Sequence, residues 1–342
     1  MISAHDNNEL KLCTNCILPE TFPGITFDEN GKCKYCNAEE KKMAKLSEKK
    51  NEYKNKFDKL ISETRDSTSS YDVLLAYSGG KDSSYTLKIL REKYDLKILA
   101  LTFDNHFVSE GAIENIKNVT DALEVDSIII RPPWSSIKEL FSLTAEEDVF
   151  SKTTLLRASS ICTGCIGIVK GLVLKTTLEM SIPLVAYGWS PGQAPIQSAI
   201  MQTNTKMSHQ AQNALLNSFP DNVRNKIKQY YVPENYFETY KERFPQNIHP
   251  LAFFEYDEEN IKEELKTIGW NGPKDTDTNS SNCLINAFAN HCHIKRHSFH
   301  PYVWEIANMV RQGVIEREEG LGKIYSPQNS EMVKYAKEKL EI

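Results

Sequence analysis

The sequence lacks any apolar run approaching the ~18 residues that a membrane span needs. Its first stretch, MISAHDNNELKLC, also lacks the apolar core of a signal peptide. The two absences give the expectation of a cytoplasmic protein without membrane contact. An excess of positive charge is missing too: 41 Lys and Arg stand against 46 Asp and Glu, a net charge of −5. That argues against a general nucleic-acid binder and leaves only a local basic patch open. No internal repeat and no low-complexity tract occurs. What remains is a globular composition, 40% hydrophobic and 25% charged, with length for about two domains.

Eight cysteines are present. In a reducing compartment they read as metal ligands or reactive thiols rather than disulfides. Cys13 and Cys16 form one CxxC, and Cys33 and Cys36 form a second. Two such knuckles supply four thiolates to one tetrahedral ion, for which zinc fits best. A segment of about 35 residues has too little core to fold alone, so the metal's role is expected to be structural.

One helix is expected over residues 38–65, where Met43, Leu46, Tyr53, Phe57, Leu60 and Ile61 recur at helical spacing. Its other faces are rich in lysine, among them Lys41, Lys42, Lys45, Lys49 and Lys50. They suit a solvated linker helix or an electrostatic surface for RNA.

From residue 71 strand and helix patterns alternate. YDVLLAY, KILALTFD and VDSIIIRP read as buried strands; SSYTLKILREKY and AIENIKNVTDAL read as the helices between them. Such alternation implies parallel pairing and a doubly wound α/β sheet. The loop SGGKDSS lies at the C-terminal end of the first strand, where these sheets bind ligands. Gly79 and Gly80 permit close backbone approach, Ser78, Ser83 and Ser84 offer hydroxyls, and Lys81 offers a charge. With the N–H groups of the following helix they form a phosphate cradle. Neither GxxxxGK[ST] nor GxGxxG is present.

SGGKDSS resembles the PP-loop of the ATP pyrophosphatases, which cleave ATP between its α and β phosphates. The resemblance implies an adenine nucleotide alpha hydrolase-like sheet. It also implies an ATP site formed by Tyr77, Ser78, Gly79, Gly80, Lys81, Asp82, Ser83, Ser84, Thr102 and Asp104. Lys81 and Asp82 are its expected catalytic pair, with Asp82 placing Mg2+. The segment TFDN, from Thr102 to Asn105, stands where that family lines its adenosine pocket.

Two further segments resemble the N-acetyl sugar amidotransferases: CTNCILPETFPGITFDENGKCKYC near the N-terminus, and residues 280–321, with CLIN, R-x-G and REE. These enzymes act on acetamido sugars of surface polysaccharides and nonulosonic acids; pseudaminic acid is the familiar case. The implied reaction adenylates an acetamido oxygen and lets ammonia displace AMP, giving an acetamidino group. No cysteine lies in G-x-C-x-G, and position 2 is Ile2, so a separate glutaminase or ammonia-channelling partner is expected.

Cys162, Cys165 and the distant Cys283 keep a sulfur reading open. A CxxC plus one further cysteine is similar to the PP-loop tRNA thiolases, whose three thiolates hold a [4Fe–4S] cluster. Cys162 and Cys165 are placed at a helix start, which favours thiolates. Against thiolation, the G-H-N-x-D-D stretch is missing, and YGWSPGQAP stands near its place.

Smaller signals remain. Arg157 suits an anion or a surface ion pair, and His106 follows the adenosine segment. His291, His293, His297 and His300 cluster with Cys292; the apolar stripe puts Cys292 in the core and the histidines mostly on polar faces. Lys170 and Lys175 read as solvated stems. Tyr230, Tyr231, Tyr236, Phe237 and Tyr240 suit either sugar stacking or helix packing. The expected architecture is a zinc ribbon at 1–40, a linker helix at 41–70, the PP-loop domain at 71–250 and a helical C-terminal region at 251–342.

Overall fold

The computed structural model describes residues 10–43, 46–65, 69–273, 276 and 280–342. The chain opens in two knuckles stapled by short bridges, Leu12 to Pro19 and Phe27 to Cys33. Helices α1 (Lys34–Met43) and α2 (Leu46–Arg65) follow. The helix expected from residue 38 thus starts four residues earlier, inside the second knuckle. Residues 44–45 and the side chains of Lys41, Lys42, Met43, Lys45 and Leu46 lie outside the described set. Of the expected stripe, Phe57 and Ile61 are buried.

The sheet has six strands: β1 (Val73–Ala76), β2 (Ile98–Phe103), β3 (Asp126–Ile130), β4 (Leu184–Tyr187), β5 (Ile200–Gln202) and β6 (Gln246–Ile248). Their spatial order is β3-β2-β1-β4-β6-β5. All pairings are parallel except β5 with β6, which is antiparallel. The order reverses at β1, which neighbours both β2 and β4, so the loop after β1 opens at the topological switch point. The period-2 alternation of strand side chains divides the core. Leu74, Leu99, Leu101 and Val185 face one layer, while Val73, Leu75, Ile98, Ala100 and Leu184 face the other.

Connections are helical, as parallel pairing requires. They are α3 (Lys81–Lys88), extended by a wider turn at Ile89–Lys93, then α4 (Glu110–Leu123), α5 (Trp134–Glu146), α6 (Lys152–Leu155) and α7 (Ser160–Glu179). Ser109 caps α4 and Ser159 caps α7 through hydrogen bonds to backbone N–H groups. Contrary to the sequence expectation, α7 is long and apolar enough to cross a membrane by length and composition. Half of its apolar window is buried within the molecule, and residues along it pack in the core with Phe141 and Val185.

The segment after β4 contributes β5, α8 (Thr205–Asn217), α9 (Asp221–Ile227), α10 (Tyr236–Thr239) and β6. Its aromatic residues serve packing. Tyr231 joins the main core, and Phe237 packs against Phe244. The chain ends in α11 (Glu258–Lys266), α12 (Asn286–His297), α13 (Val303–Arg311), α14 (Arg317–Tyr325) and α15 (Ser330–Leu340). These helices divide their loyalties. α15 buries Ala336 and Leu340 in the sheet core, whereas α13 and α14 cover the N-terminal knuckles.

Candidate active site

The backbone leaves β1 through Tyr77 and turns sharply at Gly79, which has φ +72°. A Cβ there would lie 2.4 Å from the Ala112 carbonyl oxygen, so the turn is pressed against the start of α4. Trp270 Nε1 donates to the Gly79 carbonyl at 2.9 Å. The serines lock the loop internally: Ser78 Oγ and Ser83 Oγ lie 3.1 Å apart, and Ser83 Oγ donates to the Gly80 carbonyl at 3.0 Å. Tyr77 is buried with its hydroxyl 3.1 Å from Ser84 Oγ, and burial pushes its pKa up. The loop is therefore built before any ligand arrives.

Lys81 and Asp82 share a polar chain at the start of α3. Lys81 Nζ donates to the Tyr256 hydroxyl at 2.9 Å, and that hydroxyl donates to Asp82 Oδ1 at 2.8 Å. Lys81 Nζ also stands 3.1 Å from Glu258 Oε1. Burial pushes Asp82 up despite Lys81 and Tyr256. Burial also pushes Glu258 up, but Lys81 and Lys323 pull it further down, below the ordinary carboxylate range.

Residues far along the chain complete the cradle. Ser281 Oγ accepts from the Lys81 N–H at 3.1 Å. At the end of β4, a Cβ on Gly188 would sit 2.6 Å from Ser83 Cα, so β4 closes directly on the loop. Glu305 on α13 accepts from Ser190 Oγ at 2.5 Å and from Gln193 Nε2 at 3.1 Å. Burial first, and the charge of Asp82 second, raise its pKa to about 7. Sequence reading did not single out Tyr256, Glu258, Trp270, Ser281 or Glu305. Only the order of the C-terminal segment marked that region, and no local pattern ties these residues to the loop.

At the end of β2, Thr102 is buried with its hydroxyl unpartnered among the described residues. Asp104 accepts from the His106 N–H at 2.8 Å and pairs with Arg131 at 3.3 Å. His106 turns away: its Nε2 meets the Pro132 carbonyl at 2.7 Å, and its ring lies against Trp134. Arg157 forms no ion pair among the described residues; it lies over the Trp304 ring.

Asn105 gathers two of the remaining thiols. Its Nδ2 donates to Cys165 Sγ at 3.4 Å and to Cys283 Sγ at 3.9 Å. Cys162 and Cys165 occupy the first turns of α7, as expected. Burial nevertheless opposes the thiolate form, raising all three and pushing Cys283 up to about 11. The three sulfurs are not within 4.8 Å of one another, so they do not enclose a single ion. A cluster, in which each thiolate meets its own iron, needs no such closeness.

The four N-terminal cysteines do close on one point. Their sulfurs all lie within 4.8 Å, and Cys13–Cys36, Cys16–Cys33 and Cys33–Cys36 are 3.7, 3.8 and 3.6 Å apart. A tetrahedral ion with metal–sulfur bonds of about 2.3 Å requires edges of about 3.8 Å, so these residues fit one. The Cys16 and Cys33 N–H groups donate to Cys13 Sγ, and Arg311 donates to Cys16 Sγ at 3.3 Å.

The histidine cluster departs from expectation. His293 and His300 are buried, whereas Cys292 is only half-buried. α12 turns its histidine side toward Phe299, where His293 packs 5.0 Å from the ring. Burial lowers His293 and His300 to about 3. Among the described residues they complete no metal-sized group.

Comparison with known proteins places this geometry beside others. No family model matches the chain. The uncharacterized protein MJ1599 of Methanocaldococcus jannaschii is 24% identical over 259 residues, 75% of this chain and 73% of that protein. Among solved structures, the U34-tRNA thiolase NcsA of Methanococcus maripaludis, with its [4Fe–4S] cluster, aligns at a TM-score of 0.36. Identity is 15%, over 85% of this chain and 80% of NcsA. The NH3-dependent NAD synthetase of Campylobacter jejuni aligns at 0.31 with 12% identity, over 58% of this chain and 97% of its own. Scores this low carry no argument about the reaction.

Proposed function

We propose that the chain is an ATP-dependent amidotransferase that converts an acetamido group of a sugar to an acetamidino group. One observation carries the ATP part: the SGGKDSS loop is preformed at the switch point of a parallel sheet, with Lys81 and the start of α3 beside it. In this reading the acetamido oxygen attacks the α-phosphate and pyrophosphate leaves into the loop. Its N–H groups and Lys81 stabilise the developing charge. Ammonia then displaces AMP from the adenylated carbon, and a separate glutaminase partner supplies it. The choice of an acetamido sugar rests on the sequence resemblance.

Asp82 would hold Mg2+, which neutralises phosphate charge when bound. Cys13, Cys16, Cys33 and Cys36 would hold Zn2+ in a structural role. The protein, ATP, Mg2+, ammonium and a panel of acetamido sugars test the proposal. It expects AMP, pyrophosphate and a sugar in which one oxygen has become NH. Sustained turnover with glutamine by the single chain would sink the partner.

The thiols around Asn105 support a second reading, tRNA thiolation with a [4Fe–4S] cluster held by Cys162, Cys165 and Cys283. Iron and sulfide found in anaerobically purified protein, with tRNA binding that falls steeply with salt, would favour it.

A further inference from the structure

We propose that the outer edge of β3 pairs with the same edge of a second copy of the chain, antiparallel about a two-fold axis at Ile129. The pairing does not depend on which reaction the chain catalyses.

β3 ends the sheet and has β2 as its one neighbour. Asp126 to Ile129 are exposed, and Ile130 is half-buried. Ile128 is 37% and Ile129 47% exposed. Alternation puts these two on opposite faces, so neither face of the strand is fully covered. An edge of this kind, apolar at its centre and free of lysine and proline, is what soluble proteins ordinarily avoid. The opposite edge, β5, is only three residues long.

The backbone fixes how a second strand must lie. The Asp104 N–H donates to the Ile130 carbonyl at 2.9 Å, and Phe103 is the register partner of Ile130. Residues that bond a parallel neighbour alternate along a strand, so Asp126, Ile128 and Ile130 turn their N–H and C=O groups to β2. Ser127 and Ile129 turn theirs outward, where no strand among the described residues pairs with them. An axis at Ile129 sets Ile129 against itself, Ile128 against Ile130 and Ser127 against Arg131. Every isoleucine then meets an isoleucine. An axis at Ile128 would instead set Ser127 against Ile129 and Asp126 against Ile130.

Charge selects a second copy as the occupant. The strand starts with Asp126, is apolar in the middle and is followed by Arg131, whose side chain is 61% exposed. Such a segment complements itself in the antiparallel sense, the sense a two-fold axis imposes. Asp126 of each copy then comes beside Arg131 of the other, and no like charges oppose one another. Pro132 and Pro133 follow and close the ladder, since proline has no N–H to donate. Two six-stranded sheets would become one of twelve, a width that large α/β proteins reach. Edge pairing this short is at the low end of interface size, so dissociation in the micromolar range is expected.

Sedimentation velocity of the full chain, from about 1 to 100 µM, tests the pairing. A monomer–dimer equilibrium is expected. Ile129→Lys should weaken it by about tenfold or more, because two ammonium groups would meet at the axis. Position 129 is exposed, so its melting temperature should match wild type. Oxidative cross-linking reads the register. Residues directly opposite at a hydrogen-bonded pair have Cα atoms about 5.5 Å apart, within disulfide reach. Ile129→Cys should therefore give a chain-to-chain disulfide through position 129, identified by peptide mapping, and Ile128→Cys should not. A monomer at every concentration would leave the edge to some other partner and overturn the proposal. So would a dimer that Ile129→Lys leaves intact, or one that cross-links through position 128 and not 129.

Discussion

Glu305 offers the sharpest test of how the C-terminal helices meet the SGGKDSS loop. Its carboxyl is lifted from an ordinary value of 4.5 to about 7, by burial and then by Asp82. At 1.36 kcal/mol per pKa unit this corresponds to about 3 kcal/mol of preference for the protonated form. The folded state binds the proton more tightly than the unfolded state, so the contribution is fully present below pH 4.5. It is lost as pH rises toward and through 7. Partial solvent access reduces the figure, leaving a loss of about 2 kcal/mol between pH 5 and pH 8. Glu305→Gln keeps a neutral acceptor for Ser190 but cannot ionise. Its urea midpoint, compared with wild type at pH 5 and pH 8, isolates the term. The variant should gain about 2 kcal/mol relative to wild type across that interval. Parallel pH profiles for the two proteins would refute the burial of Glu305 against Asp82.

Gly79→Ala should destabilise the chain by roughly 2–4 kcal/mol, since a left-handed φ and a 2.4 Å approach to the Ala112 carbonyl coincide; chemical denaturation measures it. Asp82→Asn should abolish AMP and pyrophosphate release while leaving the melting temperature within a few degrees; release at the wild-type rate would remove Asp82 from the mechanism. Cys16→Ser should lower bound zinc below one ion per chain and loosen α13, because Arg311 loses its sulfur acceptor; elemental analysis and near-UV circular dichroism read the two effects. The Cys283 thiol, pushed up to about 11, should react slowly with a disulfide reagent at pH 7.5 and faster as pH rises. A series of single cysteine-to-serine variants assigns the rates.

Local sequence carried much of this. Strand–helix alternation is written in short-range apolar periodicity, so the parallel sheet and the loop after its first strand could be read directly. The double CxxC likewise encodes its own geometry, because four thiols on two tight turns have few ways to meet. Where reading failed, long-range packing had intervened. α7 was missed as an apolar span because Thr163, Lys170 and Lys175 interrupt its pattern, while packing inside the molecule buries half of its apolar window. His293 and His300 were assigned to polar faces, but α12 packs His293 against Phe299, and His300, beyond the end of that helix, is buried beside Tyr302. β5 joined the sheet in the reverse sense, which nothing in IMQ signals.

The sequence by itself determined the architecture's class, the place of the SGGKDSS loop and the four-thiol knuckles, since each depends on residues close together in the chain. Only the tertiary structure decided what surrounds them. Tyr256, Trp270, Ser281 and Glu305 lie some 175 to 230 positions beyond the loop, yet they contact it or face its aspartate. Such contacts follow from how the C-terminal helices and loops pack over the end of β1, and packing of that kind leaves no periodic mark in the sequence.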